Sequence, residues 1–136
     1  MKKITIIGTG YVGLVAGAGI SEFGHDVTCA DINKNKIKKI NMGEMPIYEP
    51  ELDTIVKRNQ SKGRLKFSSD IKEAIKTSEI IFIAVGTPLG KNGCSDITAV
   101  ENVAKVIGKS LNKYKIICTK STVPVGTGKK IENIIK

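Results

Sequence analysis

Ile4-Thr5-Ile6-Ile7-Gly8-Thr9-Gly10-Tyr11-Val12-Gly13 is the stretch that decides the fold. A β-branched run leads directly into G-x-G-x-x-G, and three glycines at that spacing mean little unless their surroundings agree. Here they agree. A strand leads in, a helical stretch leads out, a second strand follows over Asp26 to Ala30, and it ends at Asp31, about twenty residues after the glycines. In such a unit Gly8 permits the tight turn, Gly10 lets the backbone approach a pyrophosphate, and Gly13 lets the helix lie close on the strand. The amides of Tyr11 and Val12 then point at the phosphates. Anion stabilisation at a helix N-terminus is about 0.3–2 kcal/mol, so it orients a dinucleotide more than it supplies all the affinity. Asp31 selects the dinucleotide, because a carboxylate accepts hydrogen bonds from ribose hydroxyls and repels a 2′-phosphate. NAD is expected over NADP, with Lys34 and Lys36 just downstream as the opposing signal.

Outward from this unit, short apolar runs alternate with stretches of helical period, the pattern of a parallel sheet with crossover helices. The strands are expected at Lys3 to Ile7, Asp26 to Ala30, Leu65 to Ser68, Ile80 to Val85 and Lys115 to Thr119. Ile80 to Val85 is apolar on both alternating faces, as in a central strand covered on both sides. Helices are expected at Tyr11 to Phe23, with Val12, Val15, Ala16 and Ile20 as the inward face and Gly24 as the stop, and at Asn33 to Asn41, Glu51 to Arg58, Asp70 to Lys76, Thr98 to Leu111 and Gly126 to Lys136. Gly17 and Gly19 each cost the first helix about 1 kcal/mol of propensity, and the sequence offers no reason for them. The expected fold class is α/β, a Rossmann-type doubly wound sheet of about five parallel strands with helices on both faces. Residues 1–136 are expected to form one NAD-binding domain that stops before its last strand, the front of a longer architecture.

The composition, 40% hydrophobic and 26% charged over 136 residues, is that of one ordinary globular domain. Three cysteines, Cys29, Cys94 and Cys118, are odd in number and form no CxxC pair. They read as reduced thiols in a cytoplasmic protein, two of them strand residues. His25, the single histidine, follows Gly24 in a turn and suits no catalytic triad. The net charge of +9 raises a nucleic-acid reading. It is lysine charge spread over every expected helix, with Arg58 and Arg64 the only arginines, 4% aromatic residues and no Trp, so a solvated lysine-rich surface is favoured. Lys2 and Lys3 before an apolar stretch mimic a secretion signal, but Gly8, Gly10, Gly13 and Gly17 interrupt it. No run of 18 apolar residues occurs, and no membrane or nucleic-acid partner is expected.

Two further elements fall at carboxyl ends of expected strands, where open α/β sheets place their ligands. Val85-Gly86-Thr87-Pro88 follows the fourth strand, and Lys120-Ser121-Thr122-Val123-Pro124-Val125-Gly126 follows the fifth. By spacing alone, hydroxyls of Thr87 and Thr122 beside a cofactor and plain turn chemistry weigh equally. Gly126-Thr127-Gly128-Lys129 fails the phosphate-loop pattern, since residue 123 is valine and residue 130 is lysine.

Five blocks together, GTGYVGLV (8–15), FGHDVTCADI (23–32), GEMPIYEPEL (43–52), VGTP (85–88) and KSTVPVG (120–126), resemble the UDP-glucose 6-dehydrogenases among the nucleotide-sugar dehydrogenases. The likeness runs nearly end to end. It implies oxidation of a sugar C6 alcohol through aldehyde and thioester stages to the acid, with two NAD reduced. It places Asp31 and Lys36 at the adenosine half of NAD, Thr87 beside the cofactor, and Thr122 near the nicotinamide as a catalytic residue that helps hold the water. The glycine block favours UDP-glucose over GDP-mannose or UDP-N-acetylmannosamine. The family's nucleophilic cysteine, catalytic lysine and most sugar-nucleotide contacts have no counterpart here, and Cys94 and Cys118 do not match that nucleophile. UDP-glucose is therefore expected as a partner only together with the missing C-terminal region, and a homo-oligomer is compatible with the sequence. A non-catalytic NAD-binding module is the alternative, with anion or nucleic-acid binding through lysines a distant third.

Overall fold

The computed structural model describes residues 1–91 and 93–136. Five parallel strands, β1 (Lys3–Ile7), β2 (Asp26–Ala30), β3 (Leu65–Ser68), β4 (Ile80–Ile83) and β5 (Ile116–Thr119), form one sheet in the order β3-β2-β1-β4-β5. Six helices accompany them: α1 (Tyr11–Glu22), α2 (Lys34–Asn41), α3 (Leu52–Ser61), α4 (Ile71–Thr77), α5 (Thr98–Ser110) and α6 (Thr127–Ile135). The chain starts at the centre of the sheet, winds outward to β3, then returns across to β4. That reversal between β1 and β4 leaves a crevice at their carboxyl ends.

Alternation along the strands builds two cores. Ile4 and Ile6 of β1, Val27 and Cys29 of β2, and Leu65 and Phe67 of β3 face Leu14 and Ala18 of α1, Ile37 and Ile40 of α2, and Leu52 and Val56 of α3. On the other face Ile7, Ile81 and Ile83 meet Ile75 of α4, Val100, Ala104 and Ile107 of α5, and Ile131 of α6. Ile80 and Phe82 of β4 pack toward the first core, so this strand is covered on both faces as its sequence demands. The ladder ends at Ile83 rather than Val85, because the Ile83 carbonyl accepts from the amides of Lys120 and Ser121 as the chain turns away.

The inward face of α1 differs from the one its large residues suggest. Gly13, Leu14, Gly17, Ala18 and Ser21 are buried, Val15, Ala16 and Ile20 lie at the margin, and Val12 is exposed. Glycine decides this. A Cβ on Gly13 would collide with the Gly8 carbonyl oxygen, and one on Gly17 with Cys29 Sγ, so the helix rests on the sheet through its side-chain-free stripe. Gly17 therefore has its reason, whereas a Cβ on Gly19 meets nothing within 4 Å. Cys29 is fully buried and its thiol is pushed up to about 12 by desolvation, an inert packing group. Cys118 is only half-buried, because β5 is the sheet's edge strand.

Lys115 was expected inside β5 but precedes it, buried, with Nζ donating to the carbonyls of Ser78 and Lys76 (3.1 Å) beyond and within the last turn of α4. Those carbonyls belong to a helix end that needs partners. Among the described residues no helix is long and apolar enough to cross a membrane, and no group of three or more His, Cys, Asp or Glu could hold a metal ion.

Two stability predictions follow from these contacts. Gly17→Ala introduces overpacking of about 1–3 kcal/mol, while Gly19→Ala gains about 1 kcal/mol of helix propensity. The Gly19 variant should melt above the Gly17 variant, with the gap narrowing in a Cys29→Ala background; equal melting temperatures would contradict the close approach. Lys115→Met keeps the bulk but strips two carbonyls of their donor, at a cost of about 1–3 kcal/mol in a urea melt. A loss below about 0.5 kcal/mol would show that water replaces the ammonium.

Candidate functional site

The crevice at the carboxyl ends of β1, β2 and β4 collects most of the residues singled out from the sequence. Gly8 takes φ +110°, a conformation that L side chains rarely adopt, and a Cβ there would lie 2.6 Å from the Ala84 carbonyl oxygen. Gly8 is thus required twice, by its backbone angle and by the closeness of β4. Gly10 is the N-cap of α1, and a Cβ on it would meet nothing within 4 Å. The open space is on the side where a ligand would approach. Among the described residues no side chain caps this helix and its first turn holds no acidic residue, so the first-turn amides of the exposed Tyr11 and Val12 keep their partial positive charge uncompensated.

Asp31 stands at the end of β2 beside that helix start. Its Oδ2 accepts from the Thr9 hydroxyl (2.7 Å) and the Thr9 amide (2.9 Å), and its Oδ1 accepts from the Asn33 amide (2.9 Å). Desolvation pushes its carboxyl upward, but the Asn33 and Thr9 hydrogen bonds and the charge of Lys36 outweigh that and hold it below the usual carboxylate range. Asp31 is thereby an ionised acceptor near neutral pH. Lys36 sits in the first turn of α2, where its amide donates to the N-cap Asn33 side chain (3.0 Å), and its charge reaches Asp31.

Next to Asp31 lies a cavity of about 180 Å³ lined by Gly8, Asp31, Ile32, Ile71, Val85 and Val103, among others. Its walls are mostly apolar. Ile32, two residues past the end of β2, is 82% exposed and stands at the rim of this cavity. The dimensions and lining suit a flat heteroaromatic ring.

At the other end of the crevice the structure brings Thr87 and Thr122 together. Thr87 Oγ1 donates to the Thr122 carbonyl at 2.8 Å, joining the loop after β4 to the loop after β5. Ser121, which sequence reasoning passed over, reinforces the junction by donating from Oγ to the carbonyls of Val85 (2.7 Å) and Ile83 (3.3 Å). Thr122 itself is exposed. A further tie was also missed: Tyr11 donates its hydroxyl to Glu49 Oε2 at 3.0 Å, linking the first turn of α1 to the Pro46–Pro50 segment, whose Ile47 packs on the first core. That bond, with the nearby negative charge, raises the Tyr11 phenol above its ordinary value. Thr9 was the more important omission. Its only signal in the sequence is a hydroxyl in the middle of G-x-G.

Comparison with known proteins gives the family of the domain that carries this crevice. The UDP-glucose/GDP-mannose dehydrogenase family, NAD binding domain, matches residues 2–136. UDP-glucose 6-dehydrogenase TuaD of Bacillus subtilis is 53% identical over all of this chain, which covers 30% of that protein; UDP-glucose 6-dehydrogenase of Rhizobium meliloti is 47% identical over 98% of the chain, covering 31%. Among solved structures, a ternary complex of GDP-mannose dehydrogenase from Pseudomonas aeruginosa superposes with a TM-score of 0.93 at 36% identity, over 98% of this chain and 31% of that one. A UDP-glucose dehydrogenase from Pyrobaculum islandicum gives 0.95 at 34% identity, over 99% and 32%. The chain spans about a third of the length of the curated relatives it matches. It belongs to the UDP-glucose/GDP-mannose dehydrogenase family, matching that family's NAD-binding domain over residues 2–136.

Proposed function

We propose that this chain is the cofactor-holding part of a UDP-glucose 6-dehydrogenase, and that oxidation of the sugar requires residues outside it. The observation that carries the reading is the pairing of an uncapped helix start, open above Gly10, with an ionised Asp31 at the end of the neighbouring strand. The amides of Tyr11 and Val12 take the pyrophosphate, Asp31 accepts from the adenosine ribose, and the cavity between Ile32, Ile71 and Val103 takes the adenine. The Asn33 and Thr9 hydrogen bonds keep Asp31 ionised, with a smaller contribution from the charge of Lys36, which lies at the adenosine end. NAD supplies the hydride acceptor for the C6 oxidation. Thr87 and Thr122, locked together across the two loops, line the nicotinamide end, and Thr122 holds water there as a catalytic residue. Preference for NAD over NADP rests on the Asp31 carboxylate.

UDP-glucose is favoured over GDP-mannose or UDP-N-acetylmannosamine by the curated relatives at 53% and 47% identity, both named UDP-glucose 6-dehydrogenases. The domain assignment is part of the same proposal. Among the described residues β5 pairs with β4 alone, and beside its free edge Tyr114, Ile117, Ile131 and Ile135 line an open groove, which suits one further strand. A cytoplasmic location is proposed on three cysteines that form no disulfide.

Calorimetric titration tests the reading. The chain should bind NAD without oxidising UDP-glucose, and activity should return when the C-terminal portion of a relative is added; turnover by the chain alone would overturn the division of labour. Gly10→Ala should weaken NAD about tenfold or more without lowering the melting temperature, and Asp31→Ala about tenfold. Unchanged affinity in both would remove the site. A pH prediction accompanies them. The folded Asp31 carboxyl titrates below its unfolded value of about 3.9, so its contribution to stability is complete above about pH 4 and is lost as pH falls through the folded value. Asp31→Asn should flatten that acid limb in melts between about pH 6 and 2; an acid limb identical to that of the parent would contradict the assignment.

A further inference from the structure

Thr9 occupies the one position of the glycine turn that the backbone does not explain. Gly8 and Gly13 are required for lack of space, and Gly10 borders open space, but Thr9 is wholly buried and carries a hydroxyl. A buried hydroxyl needs an acceptor, and valine of the same shape would fill the volume without that requirement. The hydroxyl and the amide of Thr9 both donate to a single atom, Asp31 Oδ2, at 2.7 and 2.9 Å, while Asn33 holds Oδ1 from the opposite side at 2.9 Å. The carboxylate is therefore gripped between the β1–α1 turn and the β2–α2 turn. Rotation of Asp31 away from the crevice breaks both bonds to Thr9 at once.

We infer that Thr9 is a positioning residue for cofactor choice: its hydroxyl clamps Asp31 at the crevice so that the carboxylate meets a ribose diol and is unable to swing aside for a 2′-phosphate. The inference rests on Asp31 being the ribose acceptor. Charge-assisted hydrogen bonds are roughly twice as strong as neutral ones, so two on one oxygen give a stiff hold. Losing the hydroxyl leaves the amide bond and the Asn33 bond in place. The carboxylate is then retained but loosened, which weakens NAD and relaxes discrimination instead of abolishing binding.

The test is a double-mutant cycle read by calorimetric titration of NAD and NADP into the parent chain, Thr9→Val, Thr9→Ser, Asp31→Ala and the Thr9→Val/Asp31→Ala double variant. Thr9→Val should weaken NAD by about 3–10-fold and NADP by less, narrowing the preference, and Thr9→Ser should restore NAD affinity to within about twofold. In the Asp31→Ala background Thr9→Val should change NAD affinity by less than about twofold, because the group it acts through is gone. Equal losses for NAD and NADP, or an undiminished effect without Asp31, would reduce Thr9 to a packing residue and overturn the inference. If Asp31→Ala leaves NAD affinity unchanged, the ribose reading itself fails; if it weakens NAD while Thr9→Val does not, only the clamp fails. Thermal melts accompany each titration, and Thr9→Ala substitutes in every comparison if the valine variant does not fold.

Discussion

The contact on which the rest depends is backbone against backbone. The start of α1 presses on the turn that precedes it, with no room for a Cβ on Gly13 against the Gly8 carbonyl or on Gly8 against Ala84 of the neighbouring chain segment. That closeness continues one turn along the helix, where Gly17 admits Cys29 of β2. A helix seated on such a stripe has its rotation about its axis set. Tyr11 and Val12 are consequently turned outward, and the first-turn amides open onto the crevice at the carboxyl edge of the sheet. Side-chain packing of Leu14 and Ala18 then secures a geometry that the glycines permit.

Electrostatics completes the site by contrast. The chain carries a net charge of +9, yet the carboxylate at the crevice is an acceptor enclosed by donors from two turns and held ionised by them. The positive helix end and the negative carboxylate stand close together at the crevice, so donors and an ionised acceptor are offered side by side. The lysines spread over the helices add a general attraction for anions.

Much of this was legible in the sequence, because local pattern and global fold coincide in a parallel α/β sheet. The apolar runs located five strands, and Ile80 to Ile83 declared itself central by being apolar on both faces. The turn at Gly8, Gly10 and Gly13 was legible since its spacing encodes a backbone geometry, and Asp31 stands beside it at the end of the second strand. What escaped were features that spacing does not encode. The face of α1 was misread because periodicity counts large residues, whereas here the absence of side chains does the seating. Lys115 was hidden inside an apparent strand, though it is a helix partner from 39 residues away. Thr9, Ser121 and the Tyr11–Glu49 tie act across loops, and a hydroxyl in a loop carries no sign of the acceptor it will meet.

Residue-resolved NMR reads the amides of the glycine turn and those beside the Asp31 carboxylate directly. In a titration of the isotopically labelled chain with NAD, the amides of Gly10, Tyr11, Val12 and Gly13, with those of Ile32 and Asn33 flanking the acceptor, should shift together and saturate at a single affinity. Shifts confined to the lysine-rich surfaces of α2 and α6, with the glycine turn unmoved, would contradict NAD binding at this crevice.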